Sequence, residues 1–492
     1  MKSRKILRGL FLTIGLLIVL YIIFNLIFNN VSYTIKPALL IISIMMYVTI
    51  IFILWKIYQK FLINKKHGSF ILFSIFIIVQ IIFACLFIVK PSWDFGTVYN
   101  IVLDDLLNRS SMFNSIYMNQ VKINLGIALL LKIVFMPCVA LEINHYVIVG
   151  ILLNIIFINA GLFYLYKLIT LVTDKKISSL CLLLTLTFTP FICYVPIFYT
   201  DTLSLPFAII GIYYVYKYFY TKEKKAKSLV YSGLSIGLGT IIKPTVLIVY
   251  IAIIIWLIVR EKSDSIRGTI KRIILLSIFL IIPVLLFNLY TSNSLDKEML
   301  DQYQVPKTHW IMMGLKNYGG FNSEDPDFTV SFPNEAQKKK ANIRVIKERL
   351  KNYIENKELL KFYTNKLTYT WGDGTFYAPV KLSREPKYNT AASEYIYGSQ
   401  KDYFYSFAQA EWLIMLILIT IGILVRPYLT YRQRDLQLLS LISTAGILLF
   451  LLIWETRSRY LVNLLPVILV SSYIGLIGLY NKYKLTKKRK VL

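Results

Sequence analysis

Apolar residues in this chain come in long unbroken runs, a pattern that predicts helices apolar all round and excludes strands with one wet face. Runs near the ~20 residues needed to cross about 30 Å of hydrocarbon fall at 7–28, 37–55, 69–89, 145–166, 178–198, 203–219, 228–242, 244–259, 273–290, 410–425, 436–454 and 460–480. The expectation is an all-α polytopic membrane protein with about twelve transmembrane helices. The first run is too long for a signal h-region and lacks a small-residue cleavage pattern, so it is expected to stay as an anchor.

Polar segments between the runs set the sidedness. With the N-terminus inside, the blocks "KSRK", "KIYQKFLINKKHG", "TDKK", "KYFYTKEKKAKS", "REKSDSIRGTIKR", "RPYLTYRQRD" and "NKYKLTKKRK" share one face. They hold roughly thirty Lys and Arg against about five acids, the bias of a cytoplasmic face. One further run, "KINLGIALLLKIVFMPCVALEI" at 122–143, would reverse every later loop if it crossed. It is therefore read as an interfacial helix on the outer side, with Lys132 at its middle reaching the membrane surface.

Composition agrees: 57% of the 492 residues are hydrophobic, 16% are charged and the mean hydropathy is +0.60. The net charge of +29 is distributed among the loops, which argues for topology and against a nucleic-acid partner. Cys85, Cys138, Cys181 and Cys193 lie in or beside apolar runs without paired spacing, so neither a disulfide framework nor a thiolate metal site is indicated.

The predicted organisation is two N-terminal helices (1–60), a transmembrane module (61–290) with a first outer loop at 90–144, a mixed extracytoplasmic domain (291–409) between spans 9 and 10, and C-terminal helices with a basic cytoplasmic tail (410–492). The 291–409 segment has nearly balanced charge, about seventeen basic to fourteen acidic residues, as a folded outer domain has. No internal repeat is evident.

Ionisable groups then converge on the predicted outer ends of the spans: Asp94 in "PSWDFGTVYN", Asp104 and Asp105 ten residues on, Asp201 in "FYTDTLSLPF", Lys243 in "TIIKPTV", and Glu455, Arg457 and Arg459 in "WETRSRY". Singly, each has a structural reading: Asp201 as a helix cap, Lys243 reaching for the interface, Arg459 anchoring to headgroups. Jointly, carboxylates beside Lys and Arg suit a site that deprotonates a hydroxyl acceptor while gripping a phosphate leaving group. His309, in "PKTHWIMMG", is a further substrate-binding candidate, and no histidine metal cluster is available.

"WDFGTVY", "YTDTLSLPF", "GLSIGLGTIIKPT" and "ETRSRYLVNLLPVIL" resemble the polytopic GT-C glycosyltransferases, in particular the protein mannosyltransferase and aminoarabinose transferase branch. "HWIMMGLKNYGGFNSEDPDFT" and "WGDGTF" are similar to a group of Gram-positive membrane glycosyltransferases, and the likeness runs from about residue 90 to 480. The resemblance implies a GT-C-like fold and an inverting transfer from a polyprenyl-phosphate sugar to a glycan, lipid or protein acceptor at the outer face of the plasma membrane. It implies Asp94 as general base or acceptor-orienting carboxylate, Asp201 as a second acid, and Lys243 and Arg459 on the donor phosphate. No cofactor is implied, and metal dependence is left open. The first two spans precede the module as the family usually builds it. A transporter or flippase for a lipid-linked glycan and a wall-assembly scaffold are the rival classes; a transporter calls for mid-membrane ionisable groups or paired broken helices.

Overall fold

A computed structural model of the protein describes residues 2–33, 36–221, 225–260 and 265–491. The described residues are helices and connecting loops, with one isolated antiparallel bridge between Val89 and Pro386. Where a mixed domain was expected at 291–409, the chain forms helices at Lys297–Tyr303, Lys307–Met313, Glu324–Val330, Glu335–Glu355, Leu359–Trp371, Ala378–Leu382 and Ser393–Ile396.

Nine helices among the described residues are long and apolar enough to cross a membrane. The protein is a multi-pass membrane protein. Three expected crossings, Leu205–Tyr220, Lys227–Ile242 and Leu247–Val259, are shorter helices of 16, 16 and 13 residues; sixteen residues rise only about 24 Å. The expected run at 178–198 is not one helix. Lys175–Leu186 ends at Thr187, Pro190 opens a four-residue turn of helix, and irregular chain continues to Thr200. Nearly all of 187–204 is buried against protein, which is what allows non-helical backbone in an apolar setting.

The helical stretch Ser458–Lys487 is the most deeply packed, with 94% of its most apolar part buried, whereas the first three long helices bury about a fifth of theirs and present Ile, Leu and Phe outward. Small residues set the closest approaches. A Cβ on Gly233 or Gly237 would fall 2.6 Å from the carbonyl oxygens of Leu276 and Leu280 on Ile266–Ser294, so this four-residue repeat of glycine brings the two backbones together.

At 122–143 a 3-10 turn, Lys122–Asn124, runs into the helix Leu125–Ala140, and the 19 residues Lys122–Ala140 together are one of the nine long and apolar enough to cross. Its packing agrees with a helix lying along one end of the bundle. Gly126 abuts the Ile241 carbonyl near the end of Lys227–Ile242, and Phe135 packs on Tyr146 at the start of Tyr146–Thr170. Lys132 does not simply reach for headgroups: its ammonium pairs with Asp105 at 2.6 Å.

The basic connections gather at the other end. Lys484 pairs with Asp174, Gln433 bonds the Val172 carbonyl, and the Tyr216 hydroxyl donates to the Arg432 carbonyl. Residues 222–224 and 261–264 of those basic blocks lie outside the described residues.

Candidate functional site

The end of the bundle opposite the basic connections collects the loop before Trp93–Leu106, the buried segment 187–204, the turn at Lys243, the 291–409 helices and the loop 454–464. Each is fixed by local chemistry. Gly96 is required because any side chain there would strike the Pro91 carbonyl oxygen at 2.5 Å, so "WDFG" is a tight turn into the helix. Asn154, on Tyr146–Thr170, donates to the carbonyls of Tyr194, Val195 and Ile197 and holds the irregular chain that leads to Asp201. The Thr456 N–H donates to the Gly319 carbonyl at 2.7 Å and the Glu455 N–H to that of Trp310 at 2.9 Å, tying "WETRSRY" to the 291–409 segment.

Asp201 is 3% exposed. It forms an ion pair with Lys243 through one oxygen and meets Arg459 at 3.4 Å through the other. Arg459 also bonds the Tyr460 hydroxyl, which donates to Glu455 at 2.6 Å. Burial raises the Glu455 carboxyl above its usual range. Four of the expected residues thus share one network, and in it Lys243 and Arg459 already have a counter-charge.

Arg457 is built differently. Its guanidinium lies over the rings of Tyr377 and Tyr369, at 3.8 and 4.3 Å, and no carboxylate among the described residues pairs with it. Burial, then Arg459, lowers it to about 10.

Asp94 is exposed and has no ion pair among the described residues. Its charge reaches Tyr117, Tyr199, Glu455 and Lys381. Burial first, then Tyr199 and Asp94, pushes the Tyr117 phenol up, and Asn124 links the Tyr117 and Tyr199 hydroxyls at 2.8 and 3.3 Å.

Asp104 and Asp105 make their contacts elsewhere. Asp104 pairs with Arg109 at 3.4 Å on the surface, and Asp105 takes Lys132 and the Met112 N–H. His309 is buried within the 291–409 segment, where its Nδ1 meets the Thr329 hydroxyl at 2.8 Å and burial lowers its pKa to about 4. Among the described residues, no hydrogen bond or ring contact joins it to the Asp94 cluster.

Several residues of this cluster escaped the sequence reading. Lys381 lies 3.5 Å over the Trp93 ring, and Arg384 lies 5.2 Å from the same ring. Asp373, in the "WGDGTF" already noted, accepts from the Thr375 hydroxyl and N–H, the Tyr377 N–H and the Ser458 hydroxyl. That clasp holds Phe376 and Tyr377 at φ 51° and 67°, while Trp93 sits at φ 48°. Left-handed backbone at bulky residues costs on the order of 1–3 kcal/mol each and persists only where its surroundings hold it. The sequence signal for Asp373 was its place between two glycines in an aromatic setting. Lys381 and Arg384 had none, being two cations in a polar segment rich in them. Among the described residues, no three His, Cys, Asp or Glu side chains gather into one group.

The fold and the site define a polytopic, all-helical membrane protein with a charged, aromatic cluster at one end of its bundle. The chain belongs to the family described as conserved hypothetical integral membrane protein, whose model matches residues 2–476. No curated protein matches it by sequence. Among solved structures it is similar to the archaeal oligosaccharyltransferase AglB from Archaeoglobus fulgidus, in complex with an inhibitory peptide and a dolichol-phosphate, at 12% identity and a TM-score of 0.43. The alignment covers 87% of this chain and 52% of that one, so the chain spans about half the length of that protein.

Proposed function

We propose that the protein is an inverting glycosyltransferase, moving a sugar from a polyprenyl-phosphate-linked donor to a hydroxyl of a wall polymer, glycolipid or protein at the outer face of the plasma membrane. Both termini are then cytoplasmic. The observation that carries this reading is Asp94: a carboxylate free of any ion pair among the described residues, beside a network whose other acids are occupied.

An exposed carboxylate without an ion pair among the described residues, at the start of Trp93–Leu106, is suited to accept the proton of an attacking hydroxyl, which needs a base within about 3 Å. The neighbouring cations answer the charge that develops on a departing phosphate. Asp201 serves as the organiser of Lys243 and Arg459, setting the local field from beneath the site. The aromatic faces of Trp93, Tyr369 and Tyr377 fit a sugar as well as a cation.

Transfer from a purified polyprenyl-phosphate sugar in vesicles tests the reading. Asp94→Asn keeps the size of the group and removes the base, so transfer is expected to fall roughly a hundredfold or more at unchanged abundance. Normal turnover by Asp94→Asn would take this residue out of the chemistry.

A further inference from the structure

In the expected phosphate clamp, Lys243 and Arg459 both already answer Asp201. The cations without an acidic partner among the described residues lie on the other side of the cluster. Lys381 and Arg384 share the Trp93 ring, and Tyr377 is shared by Lys381, at 5.7 Å, and Arg457, at 3.8 Å. The Trp93 indole N–H also has no acceptor among the described residues. The ring faces of Trp93 and Tyr377 thus carry three cations that make no ion pair among the described residues. Cation–π contacts of this kind are modest, roughly 0.5–2 kcal/mol each, and leave the charge free to take an anion.

We propose that Lys381, Arg384 and Trp93, with Arg457 across Tyr377, form an oxyanion subsite that takes a phosphate group next to Asp94. The inference rests on the transfer reading for the place of that phosphate in the reaction. The site is hinged on the first outer loop. The bridge between Val89 and Pro386, with Lys90 N–H to Glu385 O and Lys387 N–H to Ile88 O at 2.9 Å, fastens the Arg384 segment to the strand of chain that leads into Trp93 and Asp94. An anion held by Lys381 and Arg384 is thereby fixed relative to the carboxylate. Lys381 is also held low, at about 6, by burial first and then by Arg459 and Arg384, against the opposing charges of Asp201 and Asp94. An anion bound in contact raises it and favours its charged form.

Two sources carry such a group: the lipid donor and a phosphorylated acceptor. Binding to the purified full-length protein in micelles, titrated with a short-chain polyprenyl phosphate and separately with a lipid-free hexose phosphate, distinguishes them. Arg384 is exposed, so Arg384→Glu is expected to leave the fold intact. Arg384→Glu and Lys381→Ala are each expected to weaken binding about tenfold or more, the scale of a lost charge-assisted contact, while Arg384→Lys retains most of it. Tighter binding of the lipid phosphate places the donor here, and tighter binding of the hexose phosphate places the acceptor; either supports the subsite. Binding that Arg384→Glu leaves unchanged, or wild-type protein that binds neither probe, overturns it. Asp94→Asn separates the two readings, because removing a nearby negative charge should leave phosphate binding at least as tight. Normal sugar transfer by Asp94→Asn, with Arg384→Glu still defective in binding, would sink the catalytic role and keep the subsite.

Discussion

At the scale of single residues, the two conspicuous aspartates at the site have opposite environments and so opposite expected phenotypes. Asp94 is exposed, and its replacement should cost activity alone. Asp201 is buried between Lys243 and Arg459, so Asp201→Asn strands two cations. Breaking a buried pair from one side costs about 3–5 kcal/mol, and Asp201→Asn should lower the thermal midpoint in micelles as well as activity. An Asp201→Asn protein as stable as wild type would mean the network is not structural.

His309 gives a pH prediction. Its folded pKa of about 4 lies below the ordinary value of 6.5, so the unfolded chain takes up the proton first as pH falls. The stability it contributes is present above pH 6.5 and is lost on descending towards pH 4. A thermal midpoint that falls over this window, with a shallower fall in His309→Asn, is the expected result; equal slopes would remove the residue from the acid response.

Elements are positioned by pairs that no single run announces. Lys132, in the middle of an apolar helix, has its reason in Asp105 on Trp93–Leu106, and the pair braces the helix behind Asp94. Lys132→Leu should therefore destabilise the protein by leaving Asp105 without its cation, and adding Asp105→Asn should recover part of the loss. Unfolding of the two single variants and the double variant measures the coupling; strict additivity would show that the pair does not couple. The same lesson applies to 187–204. Its apolar letters look like a crossing, yet Pro190 and the carbonyl hooks of Asn154 make it a buried, irregular support for Asp201.

For the whole molecule, the fold brings the basic connections to one end and the acid, cation and aromatic cluster to the other. The proposed orientation is open to cysteine labelling in a background with Cys85 replaced, since that thiol is exposed. Probes at Ser323 and Ser399 are expected to label in intact cells, and probes at the exposed Ala226 and Thr430 only after permeabilisation. Labelling at Ala226 in intact cells would reverse the sidedness and move the site to the cytoplasm.

Hydrophobic runs by themselves determined the class of this protein and the position of most long helices, because crossing a bilayer imposes length and composition on consecutive residues. The loops between them also pointed to Asp94, Asp201, Lys243, Glu455, Arg457 and Arg459, since an ionisable group at a helix end stands out against apolar surroundings. Which of these share a charge was not legible: Asp201 lies 42 positions from Lys243 and 258 from Arg459. Nor was the contribution of Lys381, Arg384 and Asp373, which sit in a polar segment where cations are common and no periodicity marks a site. Only the tertiary structure decided that two of the expected clamp residues are spent on Asp201 while the cations that make no ion pair among the described residues lie on Trp93 and Tyr377. Charge pairing depends on distance in space, and a linear sequence records only distance along the chain.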